Sequence, residues 1–161
     1  MENNEDFKGC IEPTMKWEAG AELILQPVYL VPVEVFRTGL LSRPTYGTVT
    51  VVVDAVGGRT QILHGEEVPR VTGSEPEGVR LPVNISRERA VGIAESAVIS
   101  EGREGWRSLA GSSHAIAREE KVHACWIVWI RSGGSLTDST SGKSVNAGEI
   151  LGLVLPWGES P

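Results

Sequence analysis

The chain has 161 residues, 40% of them apolar, with 19 Gly, 9 Pro and a net charge of −6. That length supports one hydrophobic core, read as a single domain over residues 1–161, and needs no disulfide to hold it. Its 15 basic residues are scattered among 21 acidic ones, so no cationic patch is offered to nucleic acid. Residues 1–20 carry few periodic apolar positions and are expected to fray or wrap. Residues 21–38, AELILQPVYLVPVEVFRT, read as strand, with Val33, Glu34 and Val35 alternating as on a half-buried surface. Pro27 and Pro32 lack the N–H of a ladder bond, which predicts an edge strand or a bulge.

After a loop over 39–47, residues 48–56, TVTVVVDAV, form the strongest strand signal because β-branched residues suit a pleated surface. A tight turn at Gly57 and Gly58 leads into a return strand, RTQILH. Residues 65–83 are rich in Gly, Pro and charge and read as a linker or long surface loop. Residues 86–99, SRERAVGIAESAVI, are the one convincing helix. Ser86 suits the N-cap and Glu88 the first turn. Ala90, Ala94, Ala97 and Val98, with Val91 and Ile93, make an apolar stripe. Residues 106–120 carry a weak signal, with HAIAREE suggesting a short helical turn. Residues 121–131, KVHACWIVWIR, read as a strand buried on both faces, and 149–155, EILGLVL, as a final strand ended by Pro156.

One pattern occurs twice. Residues 49–59 read VTVVVDAVGGR and residues 133–143 read GGSLTDSTSGK. Each places an Asp four residues before a Gly, with a cation next: Asp54, Gly58, Arg59, then Asp138, Gly142, Lys143. Asp bonds nearby backbone N–H groups and Gly takes a positive φ, so both read as structural turns of one design. The expected fold is α+β: an antiparallel β-sheet packed by one main helix, with two similar strand–turn–strand halves, 21–64 and 84–155, joined by the loop 65–83.

Residues 84–146 resemble a PepSY-type module through ISRERAVGIAESAV, CWIVWI and SLTDSTSGKSV. Residues 28–62 resemble the strand part of the same unit through VYLVPVEVF and VVVDAVGGR, without a helix in front. The resemblance implies a cystatin-like helix against an antiparallel sheet. It also implies binding or inhibition, often of peptidases outside the membrane, and it carries no catalytic residues.

The residues with chemical potential are few. His123 and Cys125 lie two apart on one strand and share a face. A metal half-site would need further ligands, for which only His64 and His114 are on hand, so core packing explains the pair better. Cys10 and Cys125 read as two thiols, although a bond between them stays open. Ser112, Ser113 and His114 are adjacent in sequence, which does not make a triad. Asp54 and Asp138 as paired acids are less economical than as turn residues. No metal, cofactor or catalytic set is therefore expected. Trp126 and Trp129, three apart, face opposite sides of their strand, and Trp157 follows Pro156. With His123 they are the candidate binding residues, because exposed aromatic surface marks interfaces.

The sequence thus points to a small non-enzymatic module that binds a protein or peptide and forms a homodimer near Trp126 or Trp129. The alternative is a small-ligand binder or enzyme with a helix–sheet pocket using His123 or His114. No apolar run approaches the ~18 residues of a membrane span, and the acidic start, MENNEDFKGC, does not read as a signal peptide. A cytoplasmic location without a membrane partner is expected; a secreted chain trimmed of its signal would read the same.

Overall fold

The computed structural model describes residues 6–39, 43–65, 68–105 and 111–146. Its elements are β1 (Glu22–Gly39), β2 (Thr45–Asp54), β3 (Thr60–His64), β4 (Val79–Arg80), α1 (Arg87–Gly105), β5 (Gly111–Ala117), β6 (His123–Ser132), β7 (Ser135–Asp138) and β8 (Ser144–Asn146). They form one largely antiparallel sheet in the order β3-β2-β1-β6-β7-β8, with β4 and β5 also pairing β1. The segment predicted as a final strand, 149–155, lies outside the described residues.

β1 is the centre of the sheet, which corrects the expectation of an edge. Pro27 and Pro32 are tolerated for a geometric reason. Backbone groups alternate sides along a strand, and the Pro27 C=O accepts the Ala55 N–H. Pro27 therefore faces the β2 side, just past the last β1–β2 pair, Val28 with Asp54. Pro32 faces the other side, where β6 pairing stops at Leu30 and β5 pairing begins at Val33. No ladder donor is missing at either proline. The break between β5 and β6 is a single 3-10 turn, Glu119–Lys121. Of HAIAREE, residues 114–120, which suggested a helical turn, 114–117 lie in strand β5 and Glu119 and Glu120 in the 3-10 turn.

The inner face of the sheet carries the odd residues of β1 and β2 and the even residues of β6, as the registers require. Helix α1 covers its upper part. The Ser86 hydroxyl accepts the Arg89 N–H as an N-cap, and Ala90, Ala94 and Val98 are buried in the main core with Val31, Val33 and Val51. Ala97 is only half-buried. The lower part is covered by the N-terminal segment, not left to fray. Phe7 packs 5.0 Å from the Tyr29 ring and 5.4 Å from Trp126, centroid to centroid, and Trp17 joins the same core.

The two halves repeat each other's hydrogen bonds. Gly58 N–H donates to Asp54 C=O at 2.9 Å, and Gly142 N–H to Asp138 C=O at 2.8 Å. Asp54 N–H reaches Arg59 C=O at 2.8 Å; Asp138 N–H reaches Lys143 C=O at 2.9 Å. The match extends to flanking strands. Leu81 N–H donates to Leu25 C=O as Ile11 N–H does to Trp126 C=O, both at 2.9 Å. Asn84 and Ile85 both donate to Ala55 C=O, as Thr14 and Met15 donate to Ser139 C=O. A local two-fold axis through the Gln26/Ile127 pair relates these contacts, with β1 and β6 side by side across it. Residues 79–85, of which 79–83 fall in the predicted loop, are thus the counterpart of 9–15. Among the described residues the helix has no counterpart before β1.

Candidate functional site

Both Asp–Gly turns are built locally. Asp54 Oδ1 accepts the Val56 N–H at 3.0 Å and Oδ2 the Gly57 N–H at 3.2 Å. Asp138 Oδ1 accepts the Thr140 N–H at 2.8 Å and the Thr140 hydroxyl at 2.7 Å. Gly58 and Gly142 stand at φ of 80° and 76°, which a side chain with Cβ adopts at a cost. The carboxylates are occupied with their own turns, on opposite sides of the local axis, so they form no acid pair.

Trp126 and Trp129 are both buried. Trp126 is fully buried on the inner face, its Nε1–H donating to Phe7 C=O at 3.3 Å, with the Arg80 guanidinium 5.2 Å over the ring. Trp129 is 8% exposed on the outer face, its Nε1–H donating to Gln26 Oε1 at 2.8 Å. Residues of the same chain cover both. Trp157 lies outside the described residues. His123, expected in the core, is exposed, as is His114. The register explains it: His123 faces outward at the end of the β6 ladder, opposite Leu30, next to the 3-10 turn.

Cys125 is buried on that outer face, and burial, with Cys10 nearby, pushes its thiol from 9.0 up to about 12. Both cysteines are free thiols. Among the described residues no group of three or more His, Cys, Asp or Glu is placed to hold a metal ion. No helix among them is long and apolar enough to cross a membrane.

One concave feature among the described residues lies on the outer face, away from the helix. It is a groove of 510 Å³ whose floor and walls include Ile11, Val52, Leu63 and Ile127. Its rim carries Glu12, Arg70, Asp138 and Lys143. Three layers of sequence meet here: the side chains of β2, β3 and β6, the second Asp–Gly turn, and residues 11–14 paired to 70–72. That pairing is fixed by Glu12 N–H to Arg70 C=O and Thr72 N–H to Cys10 C=O, both at 2.8 Å. The 65–83 stretch is therefore more than a linker; Val71 packs on Ile11, Val28 and Cys125. Sequence reading marked Asp138 and Lys143 as turn residues but missed Ile11, Leu63 and Arg70. Their roles depend on contacts across the whole chain, which no local spacing reports.

A second outer-face feature sits at the far end of β1. Phe36 lies beside Tyr46 on β2 and His114 on β5, and Phe36, Tyr46 and Ile116 are 40%, 68% and 56% exposed. A hydrogen bond from Tyr46 to Glu34 holds the phenol above its ordinary pKa.

The class defined by these features is an α+β protein with one helix on the inner face of its sheet and an open groove on the outer. No protein-family model, curated protein or solved structure matches this chain.

Proposed function

We propose that this is a non-enzymatic binding module and that the outer-face groove is its site for a segment of polypeptide. The observation that carries the reading is the groove's composition. An apolar floor can take apolar side chains, while a rim with two acids and two bases, net neutral, suits a neutral dipolar backbone better than a polyanion. The matched hydrogen bonds of the two halves support the companion reading of the chain as two PepSY-type units, the first lacking its helix. The rival, a helix–sheet pocket using His123 or His114, is disfavoured: neither histidine lines the groove, and the helix–sheet contact is filled by Ala90, Ala94 and Val98. A homodimer would rest on Phe36, Tyr46 and Ile116, not on the tryptophans, and light scattering on dilute protein reads its mass directly.

Panning a random peptide library on the immobilised full chain tests the proposal. Peptides enriched on the native chain are expected to be lost on Leu63→Glu, which places a charge in the groove wall. Enrichment that survives Leu63→Glu, or no enrichment at all, refutes the groove as a peptide site.

A further inference from the structure

The groove has a counterpart across the local axis, and that counterpart is full. The axis matches Ile11 with Leu81, Val52 with Leu136, Thr140 with Val56 and Gln61 with Val145, following the matched backbone hydrogen bonds and the paired registers. It also matches Val28 with Trp129 and Ile127 with Gln26. In the filled half, Trp129 packs with Ile24, Val56, Leu81 and Leu136, and its indole reaches Gln26 at 2.8 Å. In the other half Val28 stands where Trp129 would, and Ile127, the match of Gln26, remains groove lining. Val71 closes the space over Val28, Leu30 and Cys125, but the reach of an indole toward residue 127 is left open.

The rim differs in the same sense. The filled half is sealed by Val56, which is buried, and Val145, which packs against that cluster. The groove half has Thr140 and Gln61 at those places, both lining it. Polar side chains at a rim suit a group that enters from water, because they bond its backbone and need not be stripped of solvent when the site is empty.

Resting on the reading of the groove as a peptide site, we infer that its anchor is an aromatic side chain of indole size on a partner polypeptide. The chain itself displays the complementary arrangement: the ring lies over residue 127 between Val52, Ile11 and Thr140, as Trp129 lies over Gln26 between Leu136, Leu81 and Val56. Gln61 offers its amide oxygen to an indole N–H or to the incoming backbone.

The test is titration of the ¹⁵N-labelled full chain with three neutral peptides, acetyl-Gly-Trp-Gly-amide and its Leu and Ser analogues. The Trp peptide is expected to shift the amides of Leu63, Ile127 and Thr140 and to bind at least fivefold tighter than the Leu peptide. Equal affinity for Trp and Leu overturns the aromatic anchor while leaving the groove a peptide site. No shift at the groove with any peptide overturns both. Val28→Trp, which copies the filled half, is expected to weaken the Trp peptide at least tenfold. If Val28→Trp fails to fold, Thr140→Val combined with Gln61→Val decides instead, with a severalfold loss expected. Unchanged binding in a folded variant overturns the inference.

Discussion

Adding a single methyl group at each turn glycine separates backbone strain from packing, because the two turns share geometry but not neighbours. Gly58 and Gly142 sit at φ of 80° and 76°, so alanine at either carries the left-handed penalty of about 1–2 kcal/mol. A Cβ at Gly142 meets only Met15 Sδ, at 3.7 Å, which is ordinary contact. A Cβ at Gly58 meets Ile85 Cδ1 at 3.1 Å and Ile93 Cδ1 at 3.7 Å. Ile85 is 6% exposed, so its methyl must yield within a packed core, adding about 1 kcal/mol or more. The expected losses are about 1–2 kcal/mol for Gly142→Ala and about 2–4 kcal/mol for Gly58→Ala. Gly57 is not at positive φ, so Gly57→Ala should stay within about 0.5 kcal/mol of the native chain. Urea midpoints at constant m-value read all three. In thermal melts each 1 kcal/mol corresponds to roughly 2–4 °C for a chain of this size. Equal losses at positions 57 and 58 would refute the backbone argument. A Gly142 loss exceeding that at Gly58 would refute the packing argument.

Further tests address the helix contact, a buried hydroxyl and a buried thiol. Ala94, on the sheet-facing side of α1, is fully buried, so Ala94→Leu should overpack the helix–sheet contact by about 1–3 kcal/mol; a melt without loss would mean that this stripe does not bear on the sheet. Ser139 is fully buried and its hydroxyl oxygen has no hydrogen-bond partner, so Ser139→Ala should raise stability by up to about 1 kcal/mol. A measurable loss instead would reveal a bond that the hydroxyl makes. Cys125 ionises near pH 12 when folded, against 9.0 for the free group. Its contribution is fully present below pH 9 and is lost as pH rises toward 12, because the unfolded chain releases that proton first. At pH 10 the loss from this one thiol is on the order of 1 kcal/mol. Denaturation at pH 8 and pH 10 should show Cys125→Ala losing less on the alkaline side than the native chain; parallel losses would mean the thiol is not shielded.

The α+β character, the helix beginning after Ser86, the two hairpins and burial on both faces of the strand at 124–129, though not at His123, were legible in the sequence. Each is written in local chemistry: a cap, a 3.6-residue stripe, an Asp–Gly turn, a run of β-branched residues. The position of β1 was not. A proline's missing N–H matters only where a neighbouring strand needs a donor, and which neighbour lies beside Pro27 or Pro32 is set by β2, β5 and β6, far along the chain. The same holds for residues 7–15 and 70–81, whose irregular composition suggested slack. Phe7, Ile11, Val71 and Leu81 become core only because the sheet leaves rows of apolar side chains open to them. The groove is decided at that level alone. The two halves differ in that Val28 occupies the position that matches Trp129, a difference that acquires meaning only when β1 and β6 lie side by side across a common axis. Local sequence sets which elements form, since each residue's torsions and caps act within a few neighbours. The burial of apolar surface between distant segments sets what those elements enclose.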